Sequence, residues 1–323
     1  MSDTTVSVAM ATRNGMPFLK EQLDSIFQQT YPNIEVVVSD DCSDDGTQEL
    51  LEKYKQLYGL RYFVNQEPLG FVKNFERAIR LCKGQLIALC DQDDVWVPEK
   101  IEVLVREIGG YSLIHSPSLE MIREGRRWVF KSESETYGGR HRDDYCGRWG
   151  TGKPTMRLIA ENWVVSHQIM FTREVVERAL PIPAGQLYHD AWLAVVASTL
   201  NGLRYIEQPL TYYRTHEESV TYRDLQPPRG VGAWVRAVMS EERRGRRSER
   251  IKSEIHRLAG VADACVFGET EKQFIRKLIM FYRRDGRFSQ PLYRLIFAAR
   301  NARLFYYNDG LIRRLAFIVK TLL

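Results

Sequence analysis

Leu86-Ile87-Ala88-Leu89-Cys90-Asp91-Gln92-Asp93-Asp94-Val95-Trp96 is a short apolar run that ends in acid. Gly84 bounds it on one side and the carboxylates on the other, the pattern of a buried strand that opens into a polar loop. The acids then stand at the carboxyl end of the strand, where ligands bind in open α/β sheets. In extended backbone, residues two apart face the same way, so Asp91 and Asp93 can converge on one target. Two hard oxygen donors suit Mg²⁺ or Mn²⁺, which keep positions open for a substrate's phosphates. The same acids also suit a helix start, since Pro98 follows at the first turn of a helix.

Working outward, the chain repeats one unit. Val6 to Ala11 is β-prone, Thr12-Arg13-Asn14-Gly15 is a turn, and Pro17 opens a helix with Leu19, Leu23 and Ile26 on one face. Ile34 to Val38 is a second strand, followed by the polar loop Ser39 to Thr47 and a helix through Leu51 and Tyr54. Leu60 to Val64 is a third, and the helix from Phe71 to Cys82 leads to the acidic stretch. Strands alternating with helices at this spacing predict βαβ units and a mostly parallel sheet with its polar loops on one edge. Beyond Pro98 the pattern predicts a helix to Ile108, a strand Tyr111 to His115 and a hairpin of Leu119–Ile122 with Trp128–Val129. Ser132 to Pro154 is polar and aperiodic, and reads as a substrate-facing loop. Then come a helical stretch near Met156–Glu161, a strand Val164 to Phe171, a short helix from Arg173, an apolar helix after Tyr188-His189-Asp190-Ala191-Trp192, and strands near Leu203–Ile206 and Leu210–Arg214.

The 323 residues are 44% hydrophobic with a net charge of +5, enough for one large domain and an appendage. Composition shifts after Pro227-Pro228, so the expected division is a catalytic domain over residues 1–228 and a basic helical region over 229–323. No N-terminal apolar leader and no run of membrane-spanning length is evident. Five cysteines without a C-x-x-C pair suggest neither a disulfide framework nor zinc. These features lead to the expectation of a cytoplasmic protein.

The ordered strings Val8-Ala9-Met10-Ala11-Thr12-Arg13-Asn14-Gly15, Val36 to Thr47 with its Asp40-Asp41 pair, and Asp91-Gln92-Asp93-Asp94 resemble the family 2 inverting glycosyltransferases of the GT-A fold, over residues 5–220. The string Leu89 to Pro98, with the later His189-Asp190-Ala191-Trp192-Leu193-Ala194, looks most like bacterial rhamnosyltransferases that build O-antigen or other surface polysaccharide. The resemblance implies a Rossmann-like, mostly parallel sheet flanked by helices, and a nucleotide-diphosphate sugar as donor. It implies that Ala11, Thr12, Arg13, Asn14 and Asp41 hold the nucleotide, with Asp91 and Gln92 near the ribose or metal. Asp93 and Asp94 would bind Mn²⁺ or Mg²⁺, with His216 brought towards the metal. Arg13 stands where the family often has an aromatic residue, and His189 where a glutamate is commoner.

Asp190 occupies the position of the family's catalytic base. An inverting transfer needs one carboxylate to take the acceptor hydroxyl's proton as the new bond forms. Partial burial by Tyr188, Trp192 and Leu193 would raise its proton affinity, and an N-cap role for the next helix is compatible with that. Asn74 and Lys73 can reach the donor sugar or its phosphates. His167, His189 and Trp192 are the acceptor-side candidates, although His167 within an apolar strand also fits a satisfied core histidine. The C-terminal part, with 12 Lys or Arg against three acids from Glu271 onward, can lie on an anionic membrane surface, as at the inner face of the cell membrane, or pack on the catalytic domain or a partner. The acceptor is then a saccharide or lipid-linked saccharide. The acidic loops argue against nucleic acid. Glucose, galactose or N-acetylglucosamine are alternative sugars, and a catalytically silent scaffold of the same fold is the rival from another class.

Overall fold

A computed structural model describes residues 4–124, 127–130, 153–160, 164–186, 188–216, 256–262 and 264–282. In chain order these form β1 (Val6–Thr12), α1 (Leu19–Phe27), β2 (Ile34–Asp40), α2 (Thr47–Tyr58), β3 (Arg61–Val64), α3 (Phe71–Leu81), β4 (Leu86–Cys90), β5 (Val95–Trp96), α4 (Lys100–Ile108), β6 (Leu113–His115), β7 (Ser118–Glu124), β8 (Arg127–Phe130), α5 (Lys153–Ala160), β9 (Ile169–Thr172), α6 (Arg173–Ala179), α7 (His189–Ser198), β10 (Leu203–Tyr205), β11 (Thr211–Arg214) and α8 (Glu269–Tyr282). The chain divides into two compact units. One is Met1–Trp149, Trp163–Ile182 and Leu187–His216; the other is Gly150–Asn162, Pro183–Gln186 and Glu217–Leu323.

The first unit holds a seven-stranded sheet in the order β10-β6-β9-β4-β1-β2-β3. All its pairs are parallel except those of β9, which runs antiparallel to both β4 and β6. Opposite Thr12 lies Asp40, and opposite Met10 lies Cys90, so the loops after β1, β2 and β4 leave by one edge. Val8, Met10, Val36, Val38, Ala88 and Cys90 pack against Leu19, Leu23, Leu51, Ile101 and Leu104 of the helices. A second, four-stranded sheet, β5-β11-β7-β8, contains the expected hairpin, pairing Met121 with Phe130 and Ile122 with Val129.

Two readings of local pattern change. The strand expected over Val164–Phe171 begins only at Ile169, because Ser166–Gln168 forms a 3-10 turn. That turn brings the Ser166 hydroxyl and the His167 ring to Asp91, just past the end of β4. The apolar helix begins at His189 itself, so Asp190 lies in its first turn. The polar loop of Ser132–Pro154, apart from the first residues of α5, the boundary near 228 and the segment Leu292–Leu323 lie outside the described residues. In the second unit, Arg257 donates to the Ile159 carbonyl at 2.7 Å, and Leu258, Val261, Phe274, Ile275 and Leu278 are buried.

Gly84 sets the entry into β4. A Cβ there would stand 2.6 Å from the Thr5 carbonyl oxygen and 2.7 Å from the Ser7 hydroxyl, and the Gly84 N–H donates to that hydroxyl. Gly84→Ala is therefore expected to lower stability by about 1–3 kcal/mol through overpacking, read as an earlier urea midpoint with an unchanged slope.

Candidate active site

The loops after β1, β2 and β4 are tied by their own side chains. Thr12 donates to Asp40 at 3.0 Å, and Asp40 also accepts from the Ser43 N–H at 3.0 Å. Asp41 accepts from Asn65 Nδ2 and Leu69 N, both at 2.7 Å, and from Gly70 N at 2.9 Å. Asn74 Nδ2 donates to the carbonyls of Thr12 at 3.2 Å and Ser39 at 2.9 Å. Asp41 and Asn74, expected at the donor, are thus buried ties between loops. Arg13 and Gln92 exchange two hydrogen bonds, Arg13 N–H to Gln92 Oε1 at 2.9 Å and Gln92 Nε2 to the Arg13 carbonyl at 3.1 Å. Asn14, in the left-handed region at φ 49°, receives the Asp44 N–H on its side-chain oxygen. Thr12, Arg13, Asn14 and Gln92 accordingly meet along one edge, with Ala11 paired opposite Ser39 just below.

The acidic loop has an outer and an inner part. Outside, the partly exposed Asp93 meets His216 at 2.9 Å between Oδ2 and Nε2, and the His216 ring packs on Phe18 at 4.7 Å. Inside, Asp94 is fully buried; its Oδ1 accepts the Arg214 N–H at 3.0 Å, while Oδ2 has no hydrogen-bond partner among the described residues. His167 Nδ1 lies 3.6 Å from an Asp91 oxygen and 3.7 Å from an Asp94 oxygen. On its other side His167 Nε2 meets the Ser118 hydroxyl at 3.0 Å, and its ring stacks on Tyr213. Asp91, Asp94 and His167 thus offer ligand atoms all within 4.8 Å of one another. Oxygen and imidazole donors of this kind suit a hard or borderline divalent cation. The Asp94 oxygen left unmet among the described residues belongs to this cluster, and a buried polar atom without a partner is costly.

Burial and the charges of Asp93 and Asp91 push the Asp94 carboxyl well above the usual carboxylate range. Burial also acts on Asp91, but the His167 imidazole and the Ser166 hydroxyl outweigh it and hold Asp91 below that range. Behind the acids lies Lys100, fully buried, donating to the His167 carbonyl at 2.6 Å and Thr211 Oγ1 at 2.7 Å with its ammonium 4.0 Å from the Trp96 ring centroid. Burial draws that ammonium down to about 7.

Ser166 joins the acidic loop to the candidate base. Its hydroxyl lies 2.8 Å from both oxygens of Asp91, and its backbone N–H donates to Asp190 Oδ2 at 3.0 Å. Asp190 Oδ1 accepts the Ala191 N–H at 2.6 Å. Burial raises the Asp190 carboxyl to about 7, with the Asp91 charge adding to the rise and backbone donors opposing it. His189 stacks on Phe75 at 3.9 Å. Trp192 is buried and its indole N–H donates to the Ala179 carbonyl at 2.8 Å, so it packs α7 against α6. Ser166, Lys100 and Arg214 were missed from sequence. The one signal was polarity inside an apolar stretch for Ser166, in Ser166-His167-Gln168 before Ile169; Lys100 and Arg214 carried none.

Comparison with known proteins agrees with this architecture. The profile of glycosyl transferase family 2 matches residues 7–173. The putative glycosyltransferase EpsH of Bacillus subtilis is 25% identical over 69% of this chain and 64% of its own. The Escherichia coli protein WfgD, named a UDP-Glc:alpha-D-GlcNAc-diphosphoundecaprenol beta-1,3-glucosyltransferase, is 27% identical over 37% of this chain and 50% of its own. The chain thus spans less than two thirds of either curated relative. Among solved structures, Staphylococcus aureus TarS 1–349 with UDP-GlcNAc superposes with a TM-score of 0.56 at 15% identity, over 93% of this chain and 81% of that one. The Pyrobaculum calidifontis mannosyltransferase PcManGT with GDP-Man and Mn²⁺ gives 0.52 at 17%, over 99% and 80%. At these identities the structural likeness establishes the GT-A fold.

Proposed function

This chain belongs to glycosyl transferase family 2, and we propose that it transfers a sugar, with inversion, from a nucleotide-diphosphate donor to a saccharide acceptor in surface polysaccharide synthesis. The observation that carries the reading is the Asp190 carboxyl, buried, with a raised proton affinity, and joined through Ser166 to the acidic edge of β4. A carboxylate that holds its proton near neutral pH is matched to removing one from a hydroxyl as that oxygen attacks. The Ser166 and Ala191 N–H groups fix the carboxylate plane, so the base does not have to be oriented at the moment of reaction.

The donor's nucleotide lies along the edge of Thr12, Arg13, Asn14 and Gln92, with Asp41 and Asn74 shaping the loops behind it. Asp91, Asp93 and His216, which remain partly open to solvent, would hold Mn²⁺ or Mg²⁺, with Asp94 and His167 behind them. Bound there, the cation would supply Lewis-acid neutralisation of charge on the leaving nucleoside diphosphate.

The sugar proposed is L-rhamnose from dTDP-β-L-rhamnose, which inversion converts to an α-L-rhamnoside; the support is the likeness of residues 89–98 and 189–194 to rhamnosyltransferases. A second reading, glucose or N-acetylglucosamine from a UDP donor, draws on the UDP-Glc in WfgD's name and on the UDP-GlcNAc bound by TarS. WfgD's diphosphoundecaprenol acceptor favours a lipid-linked saccharide here as well. The basic region over residues 229–323 is then the part proposed to meet the inner face of the membrane, and among the described residues no helix is long and apolar enough to cross one. Calorimetric titration with dTDP-rhamnose, UDP-glucose, UDP-galactose, UDP-N-acetylglucosamine and GDP-mannose, with Mn²⁺ and with chelator, tests the reading. Metal-dependent preference for one donor is expected. Binding of none returns the scaffold reading.

A further inference from the structure

Three large apolar side chains stand exposed at or just before the starts of α3 and α7. Leu69 is 41% exposed, Phe71 45% and Tyr188 40%. Phe71 opens α3 and Tyr188 immediately precedes α7, and their ring centroids are 6.1 Å apart at an interplanar angle of 42°. The two rings are tilted against each other rather than stacked. The Asp41 carboxylate fixes its α3 side, holding the backbone of Leu69 and Gly70. Beneath it lies His189, edge-on to Phe71 at 6.4 Å and stacked on Phe75. Both His189 ring nitrogens are buried without a hydrogen-bond partner among the described residues. Burial holds the ring neutral, its proton affinity lowered to about 4. A neutral imidazole has one donor and one acceptor nitrogen, and leaving both unmet is unfavourable.

We propose that Phe71 and Tyr188 form the platform on which a pyranose ring of the acceptor stacks, with His189 recognising one of its hydroxyls. This rests on the assignment of Asp190 as the base. A pyranose has an apolar C–H face and a polar hydroxyl rim, so it matches half-exposed rings beside an unpartnered imidazole better than a wholly apolar or wholly charged ligand does. The platform adjoins Asp190 through His189, the next residue in the chain. A sugar lying on it brings a rim hydroxyl towards the carboxylate that must deprotonate it. Phe71 and Tyr188 are positioned to set acceptor affinity, while the nucleotide edge at Arg13 and Gln92 sets donor affinity.

The test uses the full chain and its Phe71→Ala, Tyr188→Ala and Phe71→Trp variants. The probes are the methyl glycosides of glucose, galactose, N-acetylglucosamine, mannose and L-rhamnose at millimolar concentration, followed by saturation-transfer NMR and titration. At least one glycoside is expected to bind the parent protein. Each alanine variant should weaken it about tenfold, the scale of one lost aromatic contact, whereas Phe71→Trp retains it and nucleotide-sugar affinity stays constant throughout. The proposal is overturned if no glycoside binds, if the alanine variants bind equally, or if nucleotide-sugar affinity falls in parallel, which would give the platform to the donor sugar. Failure of the parent to bind any nucleotide sugar, with glycoside binding intact, would count against the transferase reading and leave the platform standing.

Discussion

Asp190→Asn is expected to reduce transfer by about 10³-fold, within the range for removal of a general base, while donor affinity is unchanged. The amide keeps one acceptor oxygen, for the Ser166 N–H, but its Nδ2 faces the Ala191 N–H that Oδ1 accepts in the parent, and it cannot take a proton. The same replacement should flatten the pH dependence of stability. In the unfolded chain an aspartate ionises near its ordinary value of 3.8, whereas the folded carboxyl holds its proton up to about 7. Folding therefore favours the protonated form, and the stability this group contributes is fully present below pH 3.8 and declines as pH rises through 7. Between about pH 4 and pH 8 the variant is expected to gain roughly 1–3 kcal/mol relative to the parent, because it no longer buries an ionised carboxylate, against a loss of the Ala191 hydrogen bond that is the same at both pH values. Urea denaturation at the two pH values reads this directly. In the parent enzyme kcat/KM should rise with pH through about 7. An Asn variant that turns over at the parent rate would remove Asp190 from the chemistry.

Asp93→Ala is expected to weaken Mn²⁺ by at least about 10–100-fold, and His216→Ala by about tenfold, on the scale set by losing ligands and the groups that orient them. Both residues are partly exposed and contact each other, so neither replacement should unfold the sheet. Mn²⁺ binding is followed by electron paramagnetic resonance without donor. Metal-dependent donor binding should fall in step. Unchanged Mn²⁺ affinity in both variants would move the cation inward to Asp91, Asp94 and His167, whose atoms already cluster. Asp94 differs from Asp93 in kind. It is fully buried near the buried Lys100 ammonium, and that charge opposes the rise in its proton affinity.

The strand–loop–helix rhythm from Val6 to Trp96 was legible because each strand is a continuous apolar run and each loop is acidic or glycine-rich, signals carried by neighbours in sequence. The meeting of Thr12, Asp41 and Asp91 on one edge follows from parallel pairing, which the rhythm implies. What escaped was set by distant partners. β9 inserts antiparallel between β4 and β6, and nothing in Ile169-Met170-Phe171-Thr172 states its direction. The turn at Ser166–Gln168 exists because its donors are taken up by Asp91 and Asp190, 75 and 24 residues away. Lys100 reads as a surface lysine on α4, yet His167, Thr211 and Trp96 enclose it. Sequence spacing put Asp91 and Asp93 on one face with Asp94 beside them, but gave no depth for any of the three. Burial separates them, since depth beneath the sheet edge is a property of the assembled fold.

The central claim is that Asp190 is a carboxyl poised near neutrality beside the acidic edge. Its most direct test is a ¹³C NMR pH titration of aspartate-labelled protein, compared with the Asp190→Asn variant. One carboxyl resonance is expected to titrate near 7 and to be missing from the variant. If the resonance lost in the variant instead titrates near the ordinary aspartate value, Asp190 is not poised as a base and the claim fails.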